Sequence, residues 1–245
     1  MTDMNECIAD TVSESDVLPA IRKNYEALID EVRGQNENVR IMAVTKTQSV
    51  EKINYLIENC GLALIGENRV NELLDKYDRL AKPHGGKLEI HFIGTLQKNK
   101  VKYIVGRVSL IESVDCLELL EAINKKAASL GVVQDILLEV NIGAEEAKSG
   151  FSPESLMECL PRVGEFSCIR VRGLMAIPPI CEKTEEIRPY FRAMKQLFVD
   201  IGAKKYDNVS MDFLSMGMSA DYMTAIEEGA NIVRVGTGIF GARHY

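Results

Sequence analysis

Short apolar runs alternate with amphipathic segments over most of this sequence, and this rhythm restricts the possible folds more than any other feature. Within the runs, polar and apolar residues do not alternate, which is typical of strands buried on both faces in a parallel sheet. The eight predicted strands are Ile41–Thr45, Leu62–Ile65, Leu88–Ile93, Val108–Ile111, Asp135–Val140, Arg170–Ala176, Val209–Leu214 and Ile232–Val235.

Segments with apolar residues at helical spacing follow the strands, and one more, Val17–Val32, precedes the first strand. The helices predicted between strands are Val50–Asn59, Glu67–Leu80, Leu96–Val105, Leu117–Ser129, Pro153–Val163, Glu185–Ile201 and Ala220–Glu228. Eight strand-loop-helix units favour a single (β/α)8 TIM barrel with an extra N-terminal helix. Periodicity does not show closure, so an open doubly wound sheet stays the alternative. We expect one domain over 1–245, with 1–16 as a flexible leader.

Composition narrows the class of protein and its surroundings. The 245 residues are 46% apolar and 27% charged, with a formal charge of -7 and no basic block, which argues against nucleic acid or an anionic membrane as partner. The acidic N-terminus does not resemble a signal peptide, and no apolar run is long enough to span a membrane. Six cysteines without a C-x-x-C pair and three histidines predict reduced thiols, no metal site and a cytoplasmic protein.

Polar side chains recur where the first four predicted strands end. Lys46, Asn68, His91 and Ser113 follow one another at intervals of 22 or 23 residues. In a barrel of this kind the chemistry lies at the C-terminal ends of the strands. The even spacing therefore predicts polar groups on one rim of the barrel.

Lys46 carries the sharpest signal among these residues. It follows the apolar strand Ile41–Thr45 and is expected to point into the barrel mouth. Desolvation lowers the pKa of a lysine, and the neutral amine is the nucleophile that forms a Schiff base with an aldehyde. The alternative is an ordinary lysine at a strand end whose amine reaches solvent.

The last two strand ends supply groups that suit an anion and a ring. Ser219 is expected to begin the helix Ala220–Glu228, and Gly236 and Thr237 follow the eighth strand, where barrels commonly bind phosphate. Arg234 lies near the end of that strand, next to the first strand in a closed barrel. Aldehyde, ring and phosphate together describe pyridoxal 5'-phosphate (PLP), whose ring nitrogen can take an arginine partner.

Several of these residues also have plainer interpretations. Arg234 could pair with a carboxylate such as Glu67 or Glu139. His91 lies inside its strand, so a buried, hydrogen-bonded structural histidine is expected. The methionines Met175, Met211, Met216 and Met218 are expected to fill the barrel.

The sequence resembles the pyridoxal phosphate homeostasis proteins from about Ile41 to Tyr245. The resemblance rests on AVTKTQ at 43–48, GENRVNE at 66–72, HFIGTLQKNK at 91–100, GLMAIP at 173–178 and LSMGMSADYMTAIEEGANIVRVGTGIFGAR at 214–243. The family usually has Ser before its lysine and Pro soon after, where this chain has Thr45 and Ser49, and neither change touches an expected contact.

The resemblance implies a barrel of the alanine racemase N-terminal type that holds PLP as a Schiff base on Lys46. It assigns Arg234 to the pyridine nitrogen and places Asn68 and Met216 near the cofactor. The phosphate cradle implied by the resemblance consists of Ser219, Gly236 and Thr237.

Three functions are compatible with such a site. The first is a PLP carrier without turnover that takes part in intracellular PLP homeostasis and delivers the cofactor to apo-enzymes, as a monomer or weak dimer. The second is a stand-alone PLP-dependent amino-acid racemase, and the third is a Schiff-base aldolase without cofactor. We expect the carrier, because only Ile239–Tyr245 follow the glycine turn after the eighth strand, which leaves no room for the second domain that the resemblance associates with racemases.

Overall fold

The computed structural model describes residues 14–181 and 183–242 and contains eight parallel strands that close into a barrel in the order β1 to β8. The strands are β1 Arg40–Val44, β2 Leu64–Glu67, β3 Glu89–Phe92, β4 Leu110–Val114, β5 Gln134–Val140, β6 Ile169–Ala176, β7 Val209–Met218 and β8 Ile232–Val235. The helices are α1 Glu14–Gln35, α2 Val50–Cys60, α3 Val70–Tyr77, α4 Val101–Ile104, α5 Leu117–Leu130, α6 Pro153–Val163, α7 Thr184–Ala203, α8 Tyr222–Glu227 and α9 Thr237–Phe240, with a 3-10 helix at Lys98–Lys100 before α4.

Closure of the barrel depends on the pairing of β1 with β8. These strands run parallel in a register that sets Met42 beside Arg234 and Ala43 beside Val235. The predicted (β/α)8 barrel with its extra N-terminal helix is therefore confirmed, and the open sheet is excluded. Within the described residues, no helix combines the length and apolar character needed to cross a membrane.

Element boundaries differ from the predictions mainly at the rim. β7 runs on to Met218, four residues beyond its predicted end, because Ser215–Gly217 continue as strand although their composition suggests a loop. Gly217 permits this: its φ is 91°, and a Cβ there would lie 2.6 Å from the Cβ of Ala225. The N-terminal helix begins at Glu14, inside the predicted leader, whose residues 1–13 lie outside the described part of the chain.

The apolar core surrounds the strands, and a smaller apolar filling lies inside the barrel. Outward strand side chains such as Ala43, Ile65 and Ile111 pack with the helices in one cluster. The interior holds two small clusters, Met42 with Leu64 and Ile232, and Leu110 with Leu137 and Met175. Met175 thus fills the barrel as expected, and Ile93 and Phe213 pack against these clusters.

We predict opposite effects on stability for two glycine substitutions. Gly173, on β6, has φ 147°, and a Cβ there would lie 1.9 Å from the Phe213 carbonyl oxygen. Gly173→Ala should lower the free energy of unfolding by about 3 kcal/mol through backbone strain and overpacking. Gly34→Ala should raise it by about 0.5 kcal/mol, because alanine favours helix α1 and no described atom lies within 4 Å of the added methyl group. Urea unfolding of both variants checks the pair, and equal effects would contradict the description of β6.

Candidate functional site

A cavity of about 930 Å³ opens at the C-terminal ends of the strands. Six of the seven predicted site residues line it: Lys46, Asn68, Ser219, Arg234, Gly236 and Thr237. Met216 does not, because side chains alternate along β7: Ser215 turns into the barrel, so Met216 is fully buried among the outer core residues. Met218 lines the cavity instead of filling the barrel, and its side chain is partly exposed there.

Lys46 lies in the turn after β1, which ends at Val44, and its side chain is half-buried in the cavity wall. Arg234 reaches the same cavity from the neighbouring strand β8. The closure of the barrel thus brings an amine and a guanidinium to the same cavity.

The guanidinium of Arg234 is almost completely buried, with an exposed fraction of 4%. It donates to Ser215 Oγ at 2.7 Å and to the carbonyl oxygen of Ala176 at 2.8 Å, rather than to Glu67 or Glu139. Burial lowers the pKa of Arg234, and the nearby charges of Glu112 and Glu139 oppose that shift. The sequence left open a direct ion pair of Arg234 with Glu67 or Glu139. The structure shows neither pair.

A chain of buried polar groups continues from Arg234 through the barrel interior. Ser215 Oγ donates to Glu112 Oε2 at 2.6 Å, and Glu112 Oε1 lies 2.6 Å from His91 Nδ1. Burial alone would lower the pKa of His91, but its hydrogen bonds with Glu112 and Glu89 raise it overall. For Glu112 the directions are reversed: burial alone would raise its pKa, but its interaction with His91 lowers it overall. The expected structural histidine is confirmed, and it forms an ion pair with the carboxylate beneath Arg234.

Ser219 is arranged differently from the helix cap that the sequence suggested. Helix α8 begins at Tyr222, and the carboxylate of Asp221 accepts from the Met218 N–H at 2.6 Å. The Ser219 hydroxyl oxygen instead accepts from the N–H groups of Gly236 and Gly238, both at 3.2 Å. Since these bonds occupy its oxygen, the hydroxyl can direct its proton into the cavity. The Ser219 hydroxyl, the Gly236 backbone and Thr237 thereby form one polar corner.

Asn68 brings a polar group to the cavity wall that has no partner within the described residues. Its Oδ1 atom is buried and accepts no hydrogen bond there. Gly94 allows the close approach of this segment, because a Cβ at that position would lie 2.1 Å from the Asn68 carbonyl oxygen. A buried amide oxygen without a partner is costly, so this position suits a bound group with a donor.

Glu139 is a cavity residue that the sequence reasoning considered only as a partner for Arg234. It lies on β5, is 8% exposed and accepts from Ser149 Oγ at 3.4 Å. Burial, together with the charge of Asp115, raises its pKa to about 7, against the opposing effect of Arg234. The sequence held a signal for this position: Glu139 is the single acidic residue in the apolar run Leu137–Val140. It lies two positions after the inward-facing Leu137, so both side chains are on the same face of the strand.

Comparison with known proteins identifies the class of barrel first. The alanine racemase N-terminal domain family matches residues 17–244. The alanine racemase of Clostridium difficile has a similar fold, with a TM-score of 0.66 and 19% identity over 94% of this chain and 58% of that chain.

Closer relatives identify the family within this class. A pyridoxal phosphate homeostasis protein of Aquifex aeolicus is 46% identical over 94% of this chain and 97% of its own, and one of Escherichia coli is 33% identical over 93% and 96%. PipY of Synechococcus elongatus, solved with PLP bound, has a TM-score of 0.79 and 30% identity over 90% of this chain and all (100%) of its own. The chain belongs to the family of pyridoxal phosphate homeostasis proteins, which confirms the resemblance seen in the sequence.

The His91–Glu112 pair predicts a pH-dependent contribution to stability. The pKa of His91 is raised, so its contribution to stability is full below the ordinary value of 6.5 and is lost as pH rises through the folded-state pKa. The pKa of Glu112 is lowered, so its contribution is full above the ordinary value of 4.5 and is lost as pH falls through the folded-state pKa. Replacing His91 by Gln should therefore destabilise most between these two values and less at alkaline pH.

Urea unfolding of wild type and His91→Gln across the pH range measures this difference, with His84→Gln in an exposed loop as control. A difference that stays constant from acidic to alkaline pH would contradict the ion pair.

Proposed function

We propose that this protein binds PLP in the cavity at the barrel rim, holds it covalently on Lys46, and takes part in PLP homeostasis by releasing it to apo-enzymes. The observation that carries the proposal is the convergence of Lys46, Arg234 and the corner of Ser219, Gly236 and Thr237 on one cavity. PipY, solved with PLP bound, and the relatives named for pyridoxal phosphate support it.

Lys46 is proposed as the covalent attachment point. When bound, PLP supplies an aldehyde that reacts reversibly with amines. Lys46 would hold the cofactor through Nζ, whose neutral form has the lone pair needed to form a C=N bond with that aldehyde at the expense of one water. Because addition of water reverses this bond, the same residue can retain and later release the cofactor.

Arg234 is proposed to face the pyridine nitrogen. A guanidinium is a hydrogen-bond donor and an extremely weak acid, so it donates to the ring nitrogen without transferring a proton to it. Although burial lowers the pKa of Arg234, the carboxylates of Glu112 and Glu139 favour its charged form. An unprotonated ring is a poor electron sink, which disfavours carbanion chemistry and supports a holding role.

The polar corner is proposed to bind the phosphate. The hydroxyls of Ser219 and Thr237 can donate to phosphate oxygens, and the backbone at Gly236 lies open to the cavity. Asn68 offers its buried Oδ1 to a donor on the bound molecule. Met216 does not line the cavity, and its placement near the cofactor stays a prediction.

A stand-alone amino-acid racemase is the second candidate, and Glu139 is the observation that favours it. A cavity carboxyl whose pKa is raised to about 7 by burial can move a proton near neutral pH. Racemisation needs a base on each face of the substrate, however, and the relatives are named as homeostasis proteins. We therefore propose a protein without turnover. We also expect it to act in the cytoplasm as a monomer or weak dimer.

Replacing Lys46 tests the covalent attachment. Lys46→Ala incubated with PLP should lose the visible absorbance band of the imine and the mass added after borohydride reduction. Lys125→Ala, an exposed lysine on helix α5, should keep both. A band that persists in Lys46→Ala would rule out this residue. Wild-type protein with no band but a borohydride-trapped sugar phosphate would favour the aldolase.

Hydrogen exchange distinguishes the carrier from the racemase. The PLP-loaded protein in deuterated water should exchange the α-proton of amino acids no faster than free PLP does. Turnover on the order of 1 per second or faster is the enzymatic range. Exchange at such a rate, abolished by Glu139→Gln, would overturn the carrier, and accompanying loss of the amino acid's optical activity would establish the racemase.

A further inference from the structure

We infer that Glu67, Glu72 and Lys76 act together as positioning residues for Lys46, holding the turn that carries it so that its amine meets the aldehyde of PLP. We call these three residues the Lys46 brace. The inference rests on the proposed function and adds to it three side chains that do not line the cavity.

The brace holds the residue before Lys46 through two groups. The hydroxyl of Thr45 donates to Glu67 Oε1 at 2.6 Å, and the carbonyl oxygen of Thr45 accepts from Lys76 Nζ at 2.8 Å. Lys76 Nζ also lies 2.9 Å from Glu67 Oε1, which closes a triangle. Thr45 and Glu67 are fully buried and Lys76 nearly so, which leaves little freedom for the backbone at Thr45.

The brace also holds the residue after Lys46. The backbone N–H of Thr47 donates to Glu72 Oε2 at 2.7 Å, and Lys76 Nζ lies 3.6 Å from the same oxygen. Thr47 has φ 64°, a left-handed conformation that costs a β-branched residue free energy and persists only when its surroundings impose it. Glu72 accepts the N–H that this conformation presents, so the turn is fixed on both sides of Lys46.

Charge links the two halves of the brace. Lys76 lies between Glu67 and Glu72 and interacts with both. Burial alone would raise the pKa of Glu72, but the Thr47 N–H and the charges of Lys76 and Arg69 lower it overall, so it acts as a carboxylate. The ammonium of Lys76 therefore fixes the distance between the carboxylates that hold Thr45 and Thr47.

Stability alone does not account for this arrangement. A buried ion pair pays a large desolvation cost, and well-packed apolar side chains of similar volume often stabilise a fold as well or better. Glu67 Oε2 is buried and has no hydrogen-bond partner within the described residues, which adds to that cost. The three charged residues instead meet the backbone at the two neighbours of one residue, and that residue is Lys46.

The brace explains two sequence features left without a role by the cavity itself. Within GENRVNE at 66–72, Asn68 lines the cavity. Glu67 and Glu72 instead bind the residues on either side of Lys46. The threonine before the lysine, expected to touch nothing relevant, contributes the hydroxyl that Glu67 accepts. Serine at this position would supply the same donor.

Positioning of this kind should affect the covalent step and leave the remaining contacts with the cofactor unchanged. Pyridoxine 5'-phosphate carries an alcohol in place of the aldehyde, so it probes the phosphate and ring contacts without bonding to Lys46. Comparing it with PLP separates a displaced amine from a damaged cavity.

The variants are Thr45→Val, which removes the hydroxyl at nearly constant shape, Thr45→Ser, which keeps it, and Glu72→Gln, which removes the charge that holds Thr47. Glu58→Gln on the exposed face of α2 is the control. Because Glu72 is only half-buried, Glu72→Gln tests the inference even if Thr45→Val fails to fold.

Stopped-flow absorbance with PLP should show imine formation slowed about tenfold or more in Thr45→Val and Glu72→Gln, because small displacements of a reacting group have large effects on rate. Thr45→Ser and Glu58→Gln should match wild type. Calorimetry with pyridoxine 5'-phosphate should give affinities within about twofold of wild type for all four, because its contacts do not involve the brace.

Unchanged imine rates in folded Glu72→Gln would overturn the inference. An equal loss of affinity for both ligands would also overturn it, because the brace would then be supporting the cavity in general. Wild-type protein that binds pyridoxine 5'-phosphate but forms no imine with PLP would overturn the proposed function itself, an outcome distinct from a defect confined to the variants.

Discussion

The pairing of β1 with β8 is the interaction on which the rest of the structure depends. It joins the first and last strands of the barrel and aligns Met42 with Arg234. No local contact links these segments, because nearly the whole barrel separates them along the chain. Once the ladder forms, the turn with Lys46 and the buried guanidinium of Arg234 face one cavity. The site is therefore a consequence of closure.

Closure also creates an electrostatic problem at the centre of the fold. Arg234 is a charged group removed from water, and such a charge is tolerated only when hydrogen bonds and opposite charges compensate it. Ser215 and Glu112 supply that compensation, and His91 balances Glu112 in turn. The polar interior is thus one hydrogen-bonded network that contains charges of both signs. A second such system, the Lys46 brace, lies on the outer side of the strands.

The sequence predicted most strands and helices well because their hydrophobic patterns are local. Apolar runs such as Asp135–Val140 and helices such as Pro153–Val163 match the observed β5 and α6 closely. The predictions were less accurate where tertiary contacts override composition. β7 continues through Ser215–Gly217 because it pairs with its neighbours, and Ser219 accepts from Gly236 and Gly238 across the rim instead of capping a helix.

The sequence by itself determined the order of strands and helices, the resemblance to the family and the residue types available at the strand ends, since hydrophobic periodicity and motifs are properties of the chain. Closure of the barrel came from the structure, because it depends on the pairing of β1 with β8. Only the tertiary structure decided which of these residues meet. Side chains alternate along a strand, so Ser215 faces the interior and Met216 the outer core. A register shift between Ser215 and Met218 breaks this alternation, and Met218 lines the cavity. The partners of Arg234, the raised pKa of Glu139 and the contacts of Glu67, Glu72 and Lys76 with the Lys46 turn depend on burial and on distances between remote segments. Neither quantity is encoded at a single position.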